Sequence, residues 1–480
     1  MTEFTGVIAA VFALYFIFMA LIGYYASRLT RSPADFFLAN RALKAWVTAI
    51  SSTASSESAW AVLGAVGIAY KDGLSALWFM PGCLLGYAIN WLFLAERLRK
   101  HSRETHAITI PDYLESHFHD KTHTLRVLSS AVIFVCMMGY VASQFTALGK
   151  TFDALFGIPY AVSIPVGGAV ILLYTAMGGF RAVAWTDFAQ GLIMVAGLAI
   201  LAGAAVAELG GMSEAVRKID EAAPAALTWT GGKTAAAFLG SLAGLLGIGL
   251  GYPGQPHVIT RYMAARDAKA IEQGVWIAVG WGFLLYSSAI VLGICGRALM
   301  PGLQDPESLF PLAAEKYLPP AVTAVVLTGV LAAIMSTVSA QIIVAASAVA
   351  HDIYCKTLRR EPSHARVLLI SRATILVLGV GAMIVALTEV RVIFWFVLFA
   401  WSGLGASFGP PILFTLYARN VTKEGVAAGM VTGFAVTVAW KVSGLSEAVI
   451  YELVPAFLLS SLAVWSVSQW TAKNLSSGNS

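Results

Sequence analysis

Charge is what this 480-residue chain has least of: Asp, Glu, Lys and Arg make up 12% of it against 58% hydrophobic residues, where an ordinary soluble domain carries roughly 25% charged residues. So thin a coat of charge cannot cover a water-soluble body of this size. Cysteine is scarce too. Cys83, Cys136, Cys295 and Cys355 stand far apart, without CxxC spacing and with three of them inside apolar segments, so they argue for neither disulfides nor a metal cluster. A basic leader region is missing, since the first apolar stretch, about Gly6 to Ala26, follows Met-Thr-Glu and reads as a retained helix. The longest polar stretches, near 96–123 and 208–233, leave no room for a kinase or ATPase module.

What the chain has instead is apolar length. Stretches of about 20 residues recur from end to end, each able to cross a hydrocarbon core of about 30 Å at roughly 1.5 Å per residue. Thirteen spans are expected: 6–27, 45–70, 73–95, 124–156, 159–178, 183–207, 234–253, 272–297, 319–354, 367–388, 392–418, 422–442 and 448–470. An odd number puts the termini on opposite sides. Alternate loops then collect Arg28, Arg31, Arg41, Lys44, Arg97, Arg99, Lys100, Arg103, Lys121, Arg126, Arg181, Arg261, Arg266, Lys269, Lys356, Arg359, Arg360, Arg366, Arg372, Arg419, Lys423 and Lys473, which is 22 of the 31 basic residues. By the positive-inside rule that side is cytoplasmic, the N-terminus is outside and the C-terminus inside. One missed span would scramble the alternation.

Two spans carry residues that weaken helices. The second holds Ser51-Ser52-Thr53-Ala54-Ser55-Ser56-Glu57-Ser58, and the seventh holds Gly244, Gly247, Gly249, Gly251, Tyr252, Pro253, Gly254 and Pro256. Both are expected to be discontinuous, because prolines remove backbone donors and glycines favour non-helical dihedrals. Unwound backbone at membrane depth is tolerated only where protein or a water-filled cavity satisfies it, so two breaks mark a site; the bland alternative is a kink or small-residue packing. In the ninth span Ala333, Ser336 and Thr337 stand at i, i+3 and i+4 and share a face. Their hydroxyls, with carbonyls freed by a break, are hard oxygens suited to Na⁺, although Ser and Thr also bond back to the preceding turn or join helices.

Glu57 lies near bilayer depth, where an unpaired carboxylate costs at least about 2.5 kcal/mol. It is a candidate for holding a proton, a cation or a substrate ammonium. Asp187, close to the cytoplasmic start of the sixth span, is either functional or paired with Arg181 or a neighbouring loop. Five histidines, His101, His106, His117, His119 and His123, share one loop and read as solvated basic surface rather than a metal site. The Gly-x-Gly-x-Gly run of the seventh span is no nucleotide loop, since no strand precedes it.

Four blocks, GGFRAVAWTDFAQ (178–190), GLGYPGQPHVITRYMA (249–264), LAAIMSTVSAQ (331–341) and WSGLGASFGP (401–410), make the chain resemble the sodium/solute symporter family over nearly its full length, and within it the bacterial proline-carrying branch. The resemblance implies an all-α integral membrane protein with a LeuT-like core of two inverted five-helix repeats, one extra helix before them and two after. The expected divisions are 1–43, 44–207 (first repeat), 208–233 (an extracellular loop), 234–418 (second repeat), 419–472 (two extra helices) and a disordered tail at 473–480. The family's sodium site falls on Ala54, the Glu57 carbonyl, Ala333, Ser336 and Thr337. A second cation site of some relatives maps to Asp187, Ser336 and Ser339, with Ala340 where they have a serine. The substrate pocket maps to Trp60, Tyr140, Tyr252 and Pro256, with Ile248 in place of a pocket tryptophan. A sodium-linked aspartate is replaced by Ser56, and Glu57 beside it points about 100° away in a continuous helix, so it can stand in only if the helix breaks there.

The reading is therefore a secondary transporter of the bacterial inner membrane, not an enzyme. It imports a small organic solute, an amino acid such as proline or a short carboxylate, by symport with Na⁺, and works by alternating access as a monomer whose partners are the solute and the lipid bilayer, with no nucleic acid. The alternative is proton coupling through Glu57. A channel or an intramembrane enzyme is a remote third reading, since no convergent nucleophile and base or metal cluster is evident.

Overall fold

The computed structural model describes residues 2–156, 158–358, 362–388 and 393–477; Arg359, Arg360 and residues 478–480 of the expected tail lie outside the described residues. Fifteen helices matter for the site: α1 Thr2–Leu29, α2 Ala45–Ser56, α3 Ala65–Asp72, α4 Phe79–Ile89, α5 Ile110–Phe118, α6 Thr124–Phe156, α7 Tyr160–Glu208, α8 Ala235–Gly247, α9 Pro256–Ala264, α10 Ala268–Leu299, α11 Pro320–Ser347, α12 His364–Leu387, α13 Ile393–Tyr417, α14 Lys423–Val442 and α15 Leu453–Ser477. Among the described residues there is no strand, only an isolated bridge between Leu43 and Ala265.

Eleven helical runs are long and apolar enough to cross a membrane, and two of them are double. The 49 residues of α7 would measure about 74 Å as one rod, more than twice a hydrocarbon core. They are divided at Gly179 (φ 60°, ψ −153°), a conformation only glycine adopts readily, and a Cβ there would strike the ring and carbonyl of Phe36. The run 60–104 likewise turns at Gly73 (φ 62°, ψ −141°). Counting both turns gives the thirteen expected passes.

Burial sorts the helices. α11 is buried continuously from Val326 to Ser347 and packs against α7, α6 and α1, which is where a helix apolar on every side belongs. Leu14, Ile17, Leu369, Val377, Leu458 and Trp465, on α1, α12 and α15, are exposed as a lipid-facing coat.

Both interrupted spans are broken where expected. α2 stops at Ser56 because its hydroxyls turn back on the chain: Ser55 Oγ donates to the Ser52 carbonyl at 3.0 Å and Ser56 Oγ to Thr53 at 2.8 Å, competing with the helical ladder. Glu57 then leaves the helix (φ −95°, ψ 69°), and a wide turn over Trp60–Gly64 leads into α3. The freed Ala59 N–H donates to Gln144 Oε1 at 3.1 Å. In the seventh span a tight turn, Ile248–Gly254, with Pro253 inside it, separates α8 from α9, which restarts on Pro256. Gly251 has no Cβ because one would overlap the Trp401 indole.

Candidate functional site

The end of α2 meets α11 through oxygen atoms. Ser336 Oγ donates to the Ala54 carbonyl at 3.0 Å and lies 3.2 Å from the Ala333 carbonyl, while Thr337 Oγ1 donates to the Ser55 carbonyl at 3.3 Å. Ala54, Ala333, Ser336 and Thr337 are thus brought together as the shared face implied, and Ser55, not singled out from sequence, joins them. All are fully buried. With the hydroxyl hydrogens turned aside, the cluster offers two hydroxyl and three carbonyl oxygens to a hard cation. Back-bonding and cation binding prove compatible readings of Ser336, since its hydroxyl reaches both its own turn and the broken helix.

Glu57 contributes the break, and its side chain goes elsewhere. Oε1 accepts from the Tyr87 phenol at 2.6 Å, the Tyr252 phenol at 2.9 Å and Ser56 Oγ at 3.2 Å. The Tyr286 phenol is 3.2 Å from that of Tyr252 and 3.3 Å from that of Tyr87. Oε2 is buried without a partner.

Asp187 is also fully buried, and the cation beside it is a side chain. Oδ2 accepts from Arg261 Nη2 at 2.7 Å and from Ser51 Oγ at 2.9 Å, and Arg261 Nε donates to Ser51 Oγ at 3.0 Å. One expectation is corrected here, and of the two pairings open to Asp187 it is the neighbouring segment, not Arg181, that supplies the partner. Arg261, read as a loop charge, is 0% exposed on α9, and Asp187 pairs with it rather than with Arg181, which bonds Asp35 at 3.1 Å. Ser339 does not share Asp187's bonds; it donates to the Ser336 carbonyl at 3.2 Å. The second cation candidate thus has its carboxylate occupied by an internal guanidinium, which neutralises it in place.

The substrate candidates surround the first break unevenly. Tyr140 reaches Ser58 Oγ at 3.3 Å, and Trp60 packs near Phe79 and Tyr286, with ring centroids 6.0 and 6.4 Å away. Tyr252 is edge-on to Tyr87 (4.7 Å) and Trp401 (4.9 Å). Ile248 lines a cavity of about 1090 Å³ together with Gly64, Lys71, Lys150, Glu307 and Tyr451, on the side of the end of α3 and of residues 304–307 and 446–451. Pro256 faces the opposite way, into a void of about 10 Å³ with Thr109, Thr260 and Ser347.

That opposite end carries the basic loops and is shut. Arg126, 2% exposed, joins Asp112 at 2.8 Å, Glu115 at 2.7 Å and Asp352 at 2.7 Å, tying α5 and α6 to the turn after α11. Thr109 Oγ1 also donates to Asp352, at 2.8 Å. Burial by itself would raise the Asp112 carboxyl, but the bonds from His351 and Arg126 hold it well below the ordinary carboxylate range. For Glu115, burial is likewise outweighed by Arg126 and His123. Arg41 donates to the carbonyls of Ser102 (2.8 Å) and Ala107 (2.6 Å), and burial beside Arg103 and Arg99 brings its guanidinium down to about 10. His123 Nδ1 bonds Glu115 at 2.9 Å. Among the described residues no group of three or more His, Cys, Asp and Glu is placed to hold a metal.

Comparison with known proteins agrees with this architecture. The chain is 36% identical over 455 residues to the high-affinity proline transporter PutP of Bacillus subtilis (strain 168), covering 94% of this chain and 95% of that protein. To the sodium/proline symporter of Escherichia coli (strain K12) it is 34% identical over 462 residues, covering 94% and 91%. Among solved structures, the substrate-bound outward-open state of a Na⁺-coupled sialic acid symporter superposes with a TM-score of 0.79 at 20% identity over 97% of this chain and 98% of that one; MhsT in complex with L-phenylalanine gives 0.56 at 15% identity over 89% and 98%. Both share the fold. Residues 36–433 match the sodium:solute symporter family, and the chain belongs to that family.

Proposed function

We propose that this sodium-coupled symporter imports a small zwitterionic amino acid of the proline type across a bacterial inner membrane. One observation carries the cation's place: hydroxyls of Ser336 and Thr337 on the carbonyls where α2 comes apart. Na⁺ is held there by Ala54, the Glu57 carbonyl, Ala333, Ser336 and Thr337. The solute sits beside the break among Trp60, Tyr140, Ile248 and Tyr252, entering from the vestibule, and Ile248 leaves more room than a tryptophan would; Pro256, on the side of the shut end, takes no part. Support for proline comes from the names of relatives about 35% identical.

The two repeats are assigned to 44–207 and 234–418, and Asp187 acts as the anchor of Arg261 while the basic end is shut. The vestibule faces outward and the basic end lies in the cytoplasm, so the N-terminus is outside and the C-terminus inside. One charge moving through about 100 mV supplies roughly 2.3 kcal/mol, enough to accumulate a neutral solute about fiftyfold. The test is uptake of radiolabelled L-proline into proteoliposomes under an inward Na⁺ gradient. Replacing Na⁺ by choline should abolish it, and uptake that persists would reject sodium coupling; a panel of unlabelled amino acids and short carboxylates competing for uptake checks the solute class.

A further inference from the structure

A second cluster of oxygens lies in the same broken region, on the other side of α2, and the sodium site just assigned makes no use of it. It gathers the Glu57 carboxylate, Ser56 Oγ and the phenols of Tyr87, Tyr252 and Tyr286, drawn from α2, α4, the seventh-span turn and α10, with oxygen separations of 2.6 to 3.5 Å. The Cys83 thiol adjoins it at Tyr252 and Tyr286. All three phenols and the carboxylate are buried. Glu57 forms no ion pair among the described residues, and Oε2 has no partner at all.

We infer that the Glu57 carboxylate and the phenols of Tyr87, Tyr252 and Tyr286 form a second Na⁺ site, distinct from the one at Ser336 and Thr337. Charge sets the valence: one carboxylate in a dry interior is neutralised by one monovalent cation, and an uncompensated charge there is strongly unfavourable. Ligand type sets the hardness, because carboxylate, phenol and hydroxyl oxygens suit alkali and alkaline-earth ions rather than soft metals. The residues lining the vestibule include Gly64 and Ile248 but not Glu57. The break after Ser56 is what makes this possible: it releases Glu57 from the helical direction that would otherwise separate it from the position of the lost aspartate.

The proposal rests on sodium coupling, and two Na⁺ per solute would raise the accumulation available at about 100 mV from about fiftyfold to about 2,500-fold. The test is equilibrium binding of ²²Na⁺ to the purified full-length chain without solute, which needs no knowledge of the substrate. The wild type should bind two Na⁺ per chain, Glu57→Gln one, Thr337→Ala one, and the double variant none. Tyr286→Phe, which keeps the ring and removes one oxygen, should weaken one of the two binding steps about tenfold and leave the other in place. One Na⁺ on the wild type, removed by Thr337→Ala and retained in full by Glu57→Gln, would overturn the second site and leave the proposed function standing. Two Na⁺ on Glu57→Gln would overturn it as well. No Na⁺ on the wild type would bring down both. Retention of the remaining Na⁺ by Glu57→Gln also shows that the variant is folded.

Discussion

The two ends of the molecule are built on opposite principles. At the end opposite the basic loops a cavity of about 1090 Å³ is lined in part by Ile248, and two ion pairs beside it, Lys150–Glu307 at 3.7 Å and Lys233–Asp72 at 3.1 Å, are partly open to solvent. At the basic end the void below Pro256 is about 10 Å³, and Arg126 is buried among three carboxylates. Exposed pairs are worth about 0 to 1 kcal/mol, whereas removing one partner of a buried set costs about 3 to 5 kcal/mol. The difference teaches where the barrier stands: one end is open as far as Ile248, and opening the other requires dismantling a polar core. Charge that marks topology in the sequence also forms the closure.

The contrast can be broken in graded steps. The largest effect on transport is expected where α2 meets α11: replacing both Ser336 and Thr337, the two proposed hydroxyl ligands, by alanine should weaken apparent Na⁺ affinity on the order of 100-fold, read from the Na⁺ dependence of L-proline uptake. Next, Arg126→Met leaves Asp112 and Asp352 uncompensated and should cost about 3 to 5 kcal/mol. A cysteine placed at Ser347 should then react with a membrane-permeant maleimide at least about tenfold faster than in the unaltered background, and equal rates would mean that Arg126 does not hold this end shut.

A smaller effect is expected from pH. Asp112 and Glu115 titrate below their unfolded values of about 3.9 and 4.3. Their stabilisation is therefore fully present above about pH 4.3 and is lost as pH falls through the folded values. Thermal unfolding should be unaffected by these two groups between pH 7 and 5 and decline below pH 4, with a shallower decline in Asp112→Asn. Lys150→Ala, at the open end, should shift stability by less than about 1 kcal/mol; a loss comparable to Arg126→Met would erase the distinction between the ends.

Much of this was legible in the residues. Thirteen passes followed from apolar length, and both breaks from hydroxyl, glycine and proline content, because these are local properties of the backbone. The meeting of Ser336 and Thr337 with α2 followed from helical spacing together with the family resemblance. Partners distant in sequence were not legible. Arg126 and Asp352 are 226 positions apart, and Arg261 sits in a segment whose polarity reads as loop, so the pair with Asp187 and the closed end emerged only with the fold. Tyr87 and Tyr286 were missed for another reason: a tyrosine in an apolar helix looks like core or interface, and only the convergence of three phenols on one carboxylate distinguishes these.

The turn at Gly179 constrains how such a protein can rock. The fifth and sixth passes are joined at a single residue rather than by a loop, so there is little slack there to absorb sliding of one past the other. The give needed elsewhere falls to the second and seventh passes, whose interruptions are several residues long.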